Sequence, residues 1–267
     1  MSGSGFKRSD KHNVVAYINP FSINSIGIVK PGIIAWWSAA SPGFGHMILG
    51  HYPIGIILII HEIILNTLTG LNSAIFHSLT GDIEMAKQIL NKKWIIAYIC
   101  PYIFAIYDSY FRTIQLNEDY RNAVRKGYAI VSKSYSFFGI NKLDNKKPIL
   151  AVIWSLLVPG IGHVYINRLP VIILVPWFIL VVHLSNLLPS IHHALLGDFQ
   201  HAMLTIDPQW ILHLPSLYGF MMYDAYVNSL ANNQIYKLQL KHTLERNYQN
   251  QDFSMGFFNH LKEKSDQ

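Results

Sequence analysis

SPGFGHMILGHYP, residues 41–53, and VPGIGHVYINRLP, residues 158–170, are the stretches on which the reading of this chain turns. Both write Pro-Gly-x-Gly-His and place a second proline seven residues after the histidine, each inside strongly apolar sequence. Proline removes a backbone donor and clashes with the preceding helical turn, and glycine admits conformations closed to other residues. Pro42, Gly43 and Gly45, and again Pro159, Gly160 and Gly162, therefore predict a sharp break in a helix. In lipid such a break survives only where protein or water satisfies the freed backbone groups. Small residues at the bend also let another helix approach closely.

Working outward from the two stretches, most of the chain falls into register with itself. At an offset of 117, Lys30-Pro31 meets Lys147-Pro148, Trp37-Ser38 meets Trp154-Ser155, and Pro53 meets Pro170. One deleted residue then changes the offset to 116, where His77 and Gly81-Asp82 meet His193 and Gly197-Asp198. Tyr107-Asp108 meets Tyr223-Asp224 at the same offset. Matches in order, with one gap, read as an internal duplication.

The composition fits a membrane protein. The chain of 267 residues is 51% hydrophobic and 13% charged, where a soluble domain carries about a quarter charged residues. A single cysteine, Cys100, excludes an intramolecular disulfide framework and a Cys-rich zinc site. The formal charge of +6 lies between apolar runs rather than on a binding face, so nucleic acid is not the expected partner. The polar N-terminus carries no cleavage pattern and predicts no removed leader. Each unit has three apolar segments, near 32–49, 54–70 and 94–113, then 149–166, 170–188 and 210–229. Each approaches the ~20 residues that cross a bilayer as a helix. Ile83, Ala86 and Leu90, at helical spacing, predict a short interfacial helix between the second and third.

Lysine and arginine concentrate in three regions, which the positive-inside rule places in the cytoplasm. These are a cytosolic N-terminal segment (1–29), a basic linker (115–146) and a basic, amphipathic tail (231–267); between them lie membrane units at 30–114 and 147–230. Keeping all three basic regions on one side needs an even number of crossings per unit. The expectation is therefore an all-α integral membrane protein with two full transmembrane helices per unit, plus a broken or re-entrant Pro-Gly-x-Gly-His element. Six spans is the alternative.

An acid inside an apolar segment needs a partner or water. The simplest partners of Asp108 and Asp224 are His46 and His163, with Arg112 one helical turn from Asp108 and Asn228 at the matching place after Asp224. The bend, a following Gly or Asn and Pro, and a late Tyr-Asp together resemble the TM2-domain superfamily, as a tandem pair covering nearly the whole chain. Met47-Ile48, Val164 and Asn167 depart from that pattern. The resemblance implies an integral membrane protein and names no reaction.

Candidate chemistry centres on histidine. HSLTGD and HALLGD place His77 with Asp82 and His193 with Asp198, and imidazole with carboxylate suits a divalent metal. No ligand spacing supports this, and each aspartate follows a glycine before a helical run, where it serves as a helix cap. No nucleophile elbow or phosphate loop is present. The reading is a non-enzymatic, bacterial-type membrane protein without a cofactor that organises, anchors or stabilises a membrane partner, or self-associates. The alternative is a small transporter or a metal- or proton-handling protein using Asp224, His163 and the outer histidines.

Overall fold

The computed structural model describes residues 14–19, 22–23, 28–125, 129–131, 133–136, 139–142 and 144–248. Its body is helical. Helix α1 (Pro31–Ala40) is followed by α2 (Phe44–Ile48), α3 (Tyr52–Thr69), α4 (Leu71–Leu79), α5 (Ile83–Ile89) and α6 (Lys92–Arg125). The order then recurs: α7 (Pro148–Leu157), α8 (Ile161–Tyr165), a 3-10 turn over Leu169–Ile173, α9 (Leu174–Leu184), α10 (Leu187–Leu195), α11 (Phe199–Thr205), α12 (Pro208–Ile211) and α13 (His213–Tyr248).

The same local devices start and stop these elements in both halves. Pro31 and Pro148 each occupy the first helical position, where the missing N–H costs nothing and φ is preset. Asp82 accepts a hydrogen bond from Met85 N, and Asp198 from His201 N, each capping the helix that follows. The departure at Asn167 has a local reason. It holds φ 60° where Gly50 holds φ 80°, and Asn186 holds φ 53° where Gly70 holds φ 63°. Asparagine is among the few side chains that tolerate this left-handed region.

Among the described residues two helices are long and apolar enough to cross a membrane: Tyr52–Thr69 and, within α6, Lys92–Asn122. A third candidate is the pair Val171–Leu184 and Leu187–Leu195, bent by 54° at Asn186. This corrects the expectation of an unbroken crossing over 170–188, which opens on a 3-10 turn and breaks before it is long enough. The segment near 210–229 is not among these candidates either. It begins α13, 36 residues long, whose interior positions include His213, Asp224, Asn228, Ser229 and Asn232. Helices α1 and α7 have ten residues each, about 15 Å, half the ~30 Å of a hydrocarbon core.

The long helices run beyond the apolar segments. Helix α6 continues past 114 to Arg125, and α13 past 230 to Tyr248. The linker is therefore helical only at its start; short strands β1 (Val14–Asn19), β2 (Ser22–Ile23), β3 (Ala129–Val131), β4 (Lys133–Ser136) and β5 (Gly139–Lys142) follow a different pattern. Strand β1 pairs with β2 antiparallel and β3 parallel, and β4 with β5 antiparallel. Residues 249–267, most of the expected tail beyond α13, lie outside the described residues.

One apolar core joins the two halves. Ile34, Trp37, Phe44, Met47 and Ile48 of the first pack against Val171, Leu174, Leu217, Phe220 and Met221 of the second. The Trp37 ring meets Phe220 edge-on at 5.8 Å, and Phe44 stacks on Phe220 at 4.2 Å. A polar seam crosses elsewhere: Gln209 Nε2 donates to Asn66 Oδ1 at 2.7 Å, and Asn72 Nδ2 donates to Gln209 O at 3.0 Å.

Candidate functional site: two His–Asp–Arg clusters at the bends

Each glycine of the Pro-Gly-x-Gly-His stretch has its own task. Gly43 (φ 101°) and Gly160 (φ 102°) turn the chain in the left-handed region after Pro42 and Pro159, so that the five-residue helix folds back. The second glycine then lies against the helix just left. A Cβ on Gly45 would fall within 3 Å of Ser38 Oγ and the Ile34 carbonyl, and one on Gly162 equally close to Ser155 Oγ and the Ala151 carbonyl. The motif is thus a helix doubling back on itself at a distance only glycine permits.

That turn delivers a histidine into the interior. His46 and His163 are both fully buried. His46 Nε2 lies 2.9 Å from Asp108 Oδ2, and His163 Nε2 lies 3.1 Å from Asp224 Oδ2. Among the described residues Nδ1 of both rings has no hydrogen-bond partner, which suits a neutral ring whose single proton sits on Nε2 and points at the carboxylate. The backbone repeats as well: His51 N donates to His46 O at 2.9 Å, and Arg168 N to His163 O at 2.8 Å.

Each acid also meets an arginine, supplied from different places. In the first cluster Arg112, one turn along α6, donates from Nε to Asp108 Oδ2. In the second that position is Asn228, and the cation is Arg168 from the bend, with Nε 2.7 Å from Asp224 Oδ2 and Nη2 3.1 Å from Oδ1. Asn228 Nδ2 adds a contact at 3.1 Å to Oδ1, while Arg168 Nη1 donates to Asn228 Oδ1 at 2.9 Å. Asp224 is therefore bonded by Arg168 Nη2, Asn228 Nδ2 and His163 Nε2, with Arg168 Nε in ion-pair contact. It is not the freer of the two acids, as the local sequence implied; the arginine that holds it is 56 residues away.

Burial separates the clusters. His163, Arg168 and Asp224 are all 0% exposed, whereas the Asp108 and Arg112 side chains are 20% and 33% exposed. A buried ion pair endures only with good geometry and partners for its other polar atoms; Arg168 supplies part of this by sending Nη2 to the Met47 carbonyl of the other half at 2.9 Å and Nη1 to Asn228 Oδ1, while Arg168 Nε and His163 Nδ1 have no hydrogen-bond partner among the described residues. Chemically this is a set of mutually neutralised groups. Among the described residues the carboxylate of Asp224 already carries a full complement of donors.

Two functional positions escaped the sequence reading. Asn117 Nδ2 donates to Val29 O at 2.8 Å and its Oδ1 accepts from Val29 N at 3.0 Å. Asn233 does the same with Lys146, at 2.6 and 2.8 Å. Each asparagine clamps both backbone groups of the residue two before the first proline of its half, tying the long helix to the start of the short one. The signal was present, since Asn117 and Asn233 stand 116 apart in the repeat register. A further contact joins α3 to α13: Glu62 Oε1 accepts from Asn66 Nδ2 at 2.9 Å and its Oε2 faces His213 Nδ1 at 4.0 Å, both residues buried, where the sequence placed this histidine in an outer loop.

Three outer histidines of the second half lie side by side, the His193 ring 5.9 Å from that of His201 and 6.2 Å from that of His192. Among the described residues no group of three or more His, Cys, Asp or Glu is placed to hold a metal ion. His77 and Asp82 meet only through backbone, Asp82 N donating to His77 O, and Asp198 N to His193 O likewise. The carboxylates cap helices instead. Asp198 Oδ2 also meets His201 Nδ1 at 2.6 Å. The His201 backbone N–H first, and its ring second, hold the Asp198 carboxyl below the usual range. The capping expected of Asp82 and Asp198 from the glycine-aspartate spacing is what the hydrogen bonds to Met85 N and His201 N show.

Compared with known proteins, the chain matches no family model, no curated protein and no solved structure.

Proposed function

We propose that the chain is a non-enzymatic, multi-pass membrane protein, built from two tandem copies of one TM2-like unit, that organises or stabilises a membrane partner. The first and last basic regions lie in the cytoplasm. α13 completes the second unit as a fourth crossing beside α3, α6 and the bent pair α9–α10, and α1–α2 and α7–α8 dip into the bilayer without crossing it. The matching element lengths, the matching left-handed positions and the two Asn clamps support the tandem reading. The observation that carries the structural role is that Asp224, His163 and Arg168 are bonded to one another in full burial, with the carboxylate turned toward protein donors.

The test is mild cross-linking in native membranes, followed by purification and mass spectrometry. A recurrent companion, lost when the chain is truncated after Tyr226, supports this role. A lone protein with no recurring companion overturns it. A second reading, a small transporter or a metal- or proton-handling protein, draws on Glu62 and His213, which face each other in the interior with His213 Nε2 unpartnered among the described residues. Ion uptake abolished by Glu62→Gln in a protein that still folds and reaches the membrane would favour it.

A further inference from the structure

The aromatic part of the contact between the two halves sets the bend of the first against the long helix of the second, with Arg168, Val171 and Leu174 beside it, and the molecule retains an unpaired copy of both aromatic surfaces. The first half offers its bend, where Trp37 (7% exposed), Phe44 (2%) and Met47 (0%) are covered. The second offers its long helix, where Phe220 and Tyr223 of α13 receive the Trp37 ring at 5.8 and 5.1 Å. In repeat register, the bend of the second half carries Trp154, Ile161 and Val164, which are 43%, 41% and 53% exposed. The long helix of the first half carries Phe104 and Tyr107, which are 50% and 61% exposed. A contact that joined the halves reciprocally would have covered all of these. This one is head-to-tail, and a head-to-tail contact leaves one of each surface open.

We infer that a second copy of this chain covers these two surfaces, seating its Phe104 and Tyr107 against Trp154 and its own Trp154 against Phe104 and Tyr107. This rests on the tandem reading above. The retained residues are those that make the internal contact: tryptophan for tryptophan, phenylalanine for phenylalanine and tyrosine for tyrosine. Volumes change in opposite directions, which keeps the pair compatible. Ile103 stands where Gly219 lies under the Trp37 ring, adding bulk to one face, while Ile161 replaces Phe44 and Val164 replaces Met47 on the other. The polar contact has a counterpart too. Arg168 crosses the internal contact to the Met47 carbonyl, and in register His51, half-buried, is the donor aimed at the Val164 carbonyl of a neighbouring copy. Lipid alone would ask for apolar side chains at these places, not for the same aromatic residues in register.

Cysteine pairs placed by analogy with Phe44 and Phe220 decide the matter. In a Cys100→Ser background, Ile161→Cys with Phe104→Cys is oxidised in native membranes, alongside each single variant and the internal pair Phe44→Cys with Phe220→Cys. The expected result is a covalent dimer from the first pair, absent from either single variant, and an internal bridge within a monomer from the second. An internal bridge without the intermolecular one would overturn self-association and leave the tandem reading standing, with lipid covering both faces. Failure of the internal bridge would overturn both. A dimer from Ile161→Cys alone would replace the head-to-tail contact with a symmetric one and overturn the inference as stated.

Discussion

Replacing Arg168 by leucine removes the cation from a carboxylate that no water reaches. Asp224 would lose the contacts at 2.7 and 3.1 Å, and Asn228 Oδ1 and the Met47 carbonyl would each lose a donor. Breaking a fully buried pair from one side costs about 3–5 kcal/mol, because the charge left behind stays desolvated. The same substitution at Arg112 acts on a pair whose members are 33% and 20% exposed, and exposed pairs contribute about 0–1 kcal/mol. At roughly 2–4 °C for each kcal/mol in chains of this size, Arg168→Leu should lower the unfolding temperature by about 10 °C and Arg112→Leu by about 2 °C or less. Tryptophan fluorescence during thermal unfolding in lipid nanodiscs reads both. The double variant Arg168→Leu with Asp224→Leu removes the orphaned charge and should recover most of the loss. Equal shifts for the two arginines would refute the assignment of the buried cluster. A double variant as unstable as Arg168→Leu alone would show that arginine packing, not charge, carried the effect.

Other expectations follow from the same geometry. Gly162→Ala puts a methyl against Ser155 Oγ and the Ala151 carbonyl, and should destabilise by about 1–3 kcal/mol or more, since overpacking forces the backbone apart; Gly32→Ala, with open space around it, is the control in the same thermal assay. Asn233→Ala leaves both backbone groups of Lys146 unpaired; at about 1–3 kcal/mol for each buried group left unsatisfied, it should increase protease cleavage near residue 146, while Asn233→Asp should cost less at the N–H and more at the carbonyl. For Asp198, a folded carboxyl held below its ordinary pKa contributes stability at neutral pH that is lost as pH falls through that lowered value. Amide exchange at His201 should therefore quicken in acid relative to the rate expected for a free chain, and Asp198→Asn should weaken that dependence.

The bend was legible because its signals are local. Proline and glycine act on their own backbone, so Pro42-Gly43-x-Gly45 and its second copy announce a break wherever they stand. The acids Asp82 and Asp198 could be read as caps for the same reason. Repetition extended this reach: because the two halves align, residues 62 and 61 apart in sequence, His46 with Asp108 and His163 with Asp224, could be named as partners before any coordinate was known. The Asn clamps were equally available in that register, and went unread because asparagine in a polar linker is ordinary until its long-range target is known.

What failed were judgements made by averaging over a window. The apolar run near 170–188 looks like the others when summed, yet it breaks at Asn186. Apolar composition also ends near 114 and 230, while the helices α6 and α13 run on to Arg125 and Tyr248. Helix length is set by backbone geometry and by contacts such as those of Asn117, not by apolar composition alone.

By itself, then, the sequence determined an apolar, mostly helical chain whose two halves can be aligned, with two proline–glycine breaks, two His–Asp meetings and too few charges for a soluble surface. Only the tertiary structure decided that Arg168 serves Asp224, and that the bend of one half packs on the long helix of the other while its own counterpart stays uncovered. Those choices depend on which of several compatible faces meet, and a face is a property of packed helices rather than of any residue taken in order.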